Sequence, residues 1–140
     1  MYSAIIILPV VPVGKPRMTQ KDRWAKRPTV LKYHKYADAV RKSYEEYNHL
    51  LPDKMELVFF MPMPKSWSKK KQAEMVGKPH RQKPDIDNLI KAFMDALYEE
   101  DSVVYSVKAE KYWAETGGIQ IGAPWDTLDI EMKRGYTQNL

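Results

Sequence analysis

Apolar and polar positions divide the chain into alternating strand-like and helix-like stretches. Tyr2 to Val10 is an isoleucine-rich run closed by Pro9 and Pro12, the pattern of a buried strand. Val13 to Pro28 has no apolar period and carries Gly14, Pro16 and Pro28 among many cations. It reads as a loop, long enough to favour a binding role over simple connection. From Leu31 to Leu51, Tyr33, Tyr36, Ala37, Val40, Tyr44 and Tyr47 recur at three and four residues, which predicts a helix ended by Pro52 and Asp53. Met55 to Met63 predicts a second strand, stopped by Pro62 and Pro64. Ser66 to Met75 predicts a short basic helix capped by Ser66 or Ser68.

After a loop from Gly77 to Pro84, the clearest helical pattern runs from Asp85 to about Glu99. Ser102 to Trp113 alternates like a long strand, with Val103, Tyr105 and Val107 on one side. A last strand falls at Ile119–Ile121 or Leu128–Met132, after the turn signal Gly117-Gly118. This order implies an α+β domain over residues 1–140, a small mixed β-sheet with helices packed on it.

Length and composition narrow the class. A chain of 140 residues suits one globular domain, and 44% hydrophobic with 29% charged residues is a folding composition. With no cysteine there is no disulfide framework, thiolate zinc site or cysteine nucleophile. The longest apolar run, Ala4 to Val13, is too short to span a bilayer and has no basic stretch before it, so an intracellular, cytoplasmic setting is expected, with no membrane partner.

The net charge of +5 hides an asymmetry. Residues 1–83 hold 18 basic and 7 acidic side chains, whereas residues 84–140 hold 5 basic and 11 acidic ones. A polyanionic partner accounts for the basic half by long-range attraction and counterion release. It does not account for the acidic cluster Asp85, Asp87, Asp95, Glu99, Glu100 and Asp101, which repels phosphate. A divalent cation reconciles the two, because carboxylates hold the ion and the ion meets the phosphate. The alternative is that both surfaces serve solubility.

The stretch Lys83-Pro84-Asp85-Ile86-Asp87-Asn88-Leu89-Ile90-Lys91 opens the clearest helix. At about 100° per residue, Ile86, Leu89, Ile90, Phe93, Ala96 and Leu97 share an apolar arc. Asp87, Asn88, Lys91 and Asp95 share the polar one. Singly, each polar residue has an ordinary reading: Asp85 caps, Asp87 complements the helix dipole, and Asp87 pairs with Lys91. Jointly, Asp85 and Asp87 point into one space, and Glu100-Asp101 precedes a strand that can return beside them. Three converging carboxylates require a cation, and oxygen-only ligands select Mg²⁺ or Mn²⁺. Lys91 would then steady a phosphoryl transition state or orient a water.

Other features are bland. His34, His49 and His80 have no metal spacing, Lys69-Lys70-Lys71 suits a solvated helix face, and the tyrosines suit packing. No P-loop, dinucleotide-binding glycine turn or nucleophile elbow is present.

The run Lys83-Pro84-Asp85-x-Asp87-Asn88-Leu89-x-Lys91, followed by Asp95-Ala96-Leu97 and Glu100-Asp101-Ser102-Val103-Val104, resembles the RusA family of Holliday-junction resolvases, proteins often encoded by phages or prophages. The resemblance implies a RusA-like fold and metal-binding roles for Asp85, Asp87 and Asp101. It implies an essential role for Lys91, a Mg²⁺ cofactor, a homodimer and a four-way DNA junction as substrate. Paired cuts related by a two-fold axis agree with paired subunits. Lys15, Arg17, Arg81 and Lys83 are expected to guide DNA backbones. Ala114 to Trp125 departs from the family's final hairpin and is a candidate insertion. The competing expectations are a DNA-binding phage accessory protein without catalysis, and a nuclease for flaps or forks.

Overall fold

The computed structural model describes residues 6–17, 27–46 and 53–122. Four strands form one sheet in the order β1-β4-β2-β3, where β1 is Ile6–Leu8, β2 Lys54–Pro62, β3 Ser106–Ala114 and β4 Gly118–Ile121. The β4 strand runs antiparallel to both β1 and β2, whereas β2 and β3 are parallel, with Lys54 opposite Ser106 and Pro62 opposite Ala114. A parallel pair needs a crossover. Here it contains α2 (Lys69–Met75) and α3 (Ile86–Leu97), while α1 (Pro28–Glu45) lies between β1 and β2 in sequence. The mixed sheet with helices is the α+β arrangement that the pattern implies.

Alternation along β2 explains the core. Met55, Leu57, Phe59 and Met61 face a cluster shared with Tyr33, Tyr36 and Val40 of α1 and Leu89, Ala92 and Phe93 of α3. Val58 and Phe60 point to the opposite face, against Ala114. This two-sided burial is why β2 reads as a nearly unbroken apolar run. Phe59 meets Phe93 edge-on at 6.5 Å, fixing α3 to the sheet. The Tyr33 hydroxyl donates to the Ala92 carbonyl at 3.4 Å, tying α1 to α3.

Several boundaries differ from expectation for local reasons. Pro28 opens α1 three residues before Leu31, because proline suits the first helical turn. Ser68 caps α2 by accepting from the Lys71 amide at 3.1 Å. The strand expected from Ser102 begins only at Ser106: Glu100 accepts from the Ser102 amide at 3.2 Å, and Asp101–Val103 form a 3₁₀ turn. Val103, Tyr105 and Val107 are exposed. The candidate insertion is also corrected, since β4 falls within Ala114 to Trp125 and sits between β1 and β2. The alternative last strand at Leu128–Met132, together with Tyr47 and His49, lies outside the described residues.

Candidate active site

Asp85 holds the N-cap position of α3, and its carbonyl accepts from the Leu89 amide at 3.1 Å. Its side chain makes no capping hydrogen bond, and the carboxylate is exposed. The Asp87 carboxylate instead accepts from the Asn88 amide at 2.9 Å. Leu89, Ala92, Phe93 and Ala96 bury the opposite face of α3, so burial of the apolar arc turns the acidic start of the helix to solvent.

The expected Asp87–Lys91 pair does not form. Lys91 Nζ lies 3.4 Å from Asp95 Oδ2 instead. Lys15 Nζ meets the same oxygen at 3.2 Å and stands 4.1 Å from the centre of the Tyr33 ring. Asp95 thus gathers two lysines. Lys91 remains 62% exposed and able to turn toward a ligand, whereas Lys15 is largely enclosed, with its ammonium engaged inside the protein. The Lys15 segment stays close to α3 because Gly14 has no side chain: a Cβ there would lie 2.9 Å from Pro84 Cβ. Arg17, Arg81 and Lys83 are exposed. A cavity of about 440 Å³ opens between the Gly14–Pro16 loop, the first turns of α1 and Pro84, with Lys15, Lys32 and Lys83 in its lining and no acid.

One residue missed by sequence reasoning is Lys111. It shares the inward face of β3 with Ala109 and Trp113, and its Nζ donates to the carbonyls of Gln82 and Pro84, each at 2.7 Å. Burial lowers its pKa below the usual lysine value, and the nearby charge of Asp85 partly opposes that shift. The available signal was a lysine at an inward position of an alternating strand, two residues before a buried tryptophan.

Asp101 stands elsewhere. The 12 residues of α3 span about 18 Å. The helix leads away from Lys111 to Tyr98, whose hydroxyl reaches Met55 Sδ at 3.5 Å. Met55 pairs with Val107, four residues and about 13 Å along β3 from Lys111. Asp85 and Asp87 therefore occupy one end of α3, and Asp101 lies beyond the other. Among the described residues, no three His, Cys, Asp or Glu side chains form a group able to hold a metal ion. The carboxylates suit a hard cation in kind, but one chain does not gather all three.

A family model for the endodeoxyribonuclease RusA matches residues 8–122. The chain belongs to the RusA endodeoxyribonuclease family. It is also similar to the uncharacterized protein YqaN of Bacillus subtilis (strain 168), 36% identical over 78 residues, covering 50% of this chain and 55% of that protein. The chain thus spans about half the length of this curated relative. No solved structure matches the chain. The RusA match ends at Gly122, so it includes β4, and it covers Asp85, Asp87, Lys91, Asp101 and Lys111 alike. Among the described residues no helix is long and apolar enough to cross a membrane.

Proposed function

We propose that the chain is a metal-dependent endonuclease that resolves four-way Holliday junctions by paired, symmetric hydrolysis of two strands. The observation that carries this reading is the exposed Asp85 carboxylate, without a capping bond, beside Asp87 at the start of α3 in a RusA-family chain. Asp85, Asp87 and Asp101 would hold Mg²⁺ or Mn²⁺, which supplies Lewis acidity and a lowered water pKa when bound. The exposed Lys91 ammonium would leave Asp95 to meet the charge developing on the scissile phosphate. Arg17, Arg81 and Lys83 would take neighbouring phosphates, with Lys15 holding the loop in place. A phage or prophage origin and a cytoplasmic setting go with this reading.

The separation of Asp101 from Asp85 supports a homodimer. Val103, Tyr105 and Val107 are exposed near Asp101, at and before the start of β3 and short of Lys111 to Trp113, where the segment 77–80 bonds to the strand. A two-fold contact through these exposed side chains would let Asp101 of the partner subunit approach the Asp85 end of α3. Each site would then be completed by the second copy.

The failure of one chain to gather three acids favours one rival, a DNA-binding accessory protein without catalysis. Incubation with labelled junction, fork, flap and linear duplex, in Mg²⁺ or EDTA, separates these readings. Metal-dependent cutting of the junction in preference to the others supports the proposal. Salt-sensitive binding with no cutting supports the accessory role, and cutting of flaps or forks alone changes the substrate.

A further inference from the structure

Lys111 has a geometry that none of these roles uses. The segment 78–80 is held by main-chain bonds to β3: Trp113 donates to the Lys78 carbonyl at 2.9 Å, and the His80 amide donates to the Lys111 carbonyl at 3.0 Å. The next main-chain anchor is the Asp85 carbonyl, taken by Leu89. Between them, among the described residues, the backbone of 81–84 makes no main-chain hydrogen bond. The Lys111 ammonium fills that gap with its bonds to the carbonyls of Gln82 and Pro84, immediately before Asp85. An ammonium has three donors. Two are held by carbonyls, which leaves Lys111 poorly placed to engage a phosphate directly and well placed to hold a loop.

We propose that Lys111 is the positioning residue for Asp85: from β3 it fixes the backbone that sets where the Asp85 carboxylate would hold the cation. The proposal rests on the nuclease reading above. Tethering to the sheet keeps the start of α3 in register with the core, and a misplacement of about 1 Å at a reacting group costs about 10²-fold in rate.

The absence of cysteine supplies a clean test. Lys111→Cys introduces the sole thiol, which 2-bromoethylamine converts in the unfolded chain to a lysine analogue before refolding. Three quantities are read: the single-turnover rate of junction cutting, junction affinity in EDTA, and hydrogen exchange at the Leu89 amide. The expected result is cutting slowed by about 10²-fold, affinity within about 2-fold, faster Leu89 exchange, and recovery of rate and protection on aminoethylation. Lys111→Met, of similar length without donors, should reproduce the loss. Normal cutting by either variant, an affinity loss as large as the rate loss, or no recovery on aminoethylation would overturn the proposal. If the unmodified protein cuts nothing, the nuclease reading fails by itself. Unchanged Leu89 exchange in both variants would then overturn the anchoring role independently.

Discussion

Lys15 Nζ stands 3.2 Å from Asp95 Oδ2, joining the loop after β1 to the last turns of α3. Both side chains are mostly shielded, so the contact is better protected than an ordinary surface pair. The same oxygen holds Lys91, which makes Asp95 the shared partner of an enclosed lysine and an exposed one. Asp95→Asn should lower stability by about 1 kcal/mol and free both ammonium groups. Urea unfolding reads the first effect. The second should appear as a steeper salt dependence of junction binding.

The separation of Asp101 from Asp85 leads to a mixing experiment. Asp85→Asn and Asp101→Asn should each fail to cut alone. A dimer with one copy of each has one site with Asp85 of the second variant and Asp101 of the first, both intact. Mixed variants should therefore regain nicking of one strand, measured on a labelled junction. Failure of every mixture to nick, with subunit exchange verified, would place all three acids on one chain. Tyr105→Glu at the exposed edge should yield monomers in sedimentation and abolish cutting.

His80 gives a pH dependence with a defined sign. Its ring is buried 4.3 Å from the Trp113 ring. Burial first, then the charge of Lys111, lower its pKa below 6.5, and a backbone hydrogen bond partly opposes them. The folded state thus prefers the neutral ring. Its contribution to stability is complete above the unfolded value of 6.5 and is lost as pH falls below it toward the folded pKa. His80→Gln should flatten thermal stability across that acidic window. An unchanged pH profile would remove His80 as its source.

Gly14 reports the closeness of the loop to α3. In Gly14→Ala the added carbon meets Pro84 Cβ at 2.9 Å, so the loop or the helix start must shift. The cost should be about 1–3 kcal/mol, read as a lower melting temperature, with slower cutting because Asp85 follows Pro84 directly.

Much of this was legible in the sequence, for physical reasons that stop at identifiable points. The two-sided burial of β2 and the single apolar arc of α3 leave periodic marks, so both elements stood out. Asp85 at a helix start was readable because Pro84 and the arc fix where α3 begins. Glu100 turning onto the Ser102 amide leaves no period, so the 3₁₀ turn was hidden, and with it the exposure of Val103 and Tyr105. Lys91 has acids four residues away on both sides, and spacing alone could not choose Asp95 over Asp87. Lys111 reaches carbonyls 27 and 29 residues away, a contact created by the packing of the crossover on β3.

The most direct measurement is the cutting of a labelled four-way junction by the unmodified protein and by Asp85→Asn and Asp87→Asn, in Mg²⁺ and in EDTA, with binding read in parallel. Paired cuts by the unmodified protein in Mg²⁺ alone are expected. Both variants should bind the junction at least as well, having lost a repulsive charge, and cut it not at all. Full cutting by either variant, or no cutting by the unmodified protein under any metal, would contradict a nuclease centred on the start of α3.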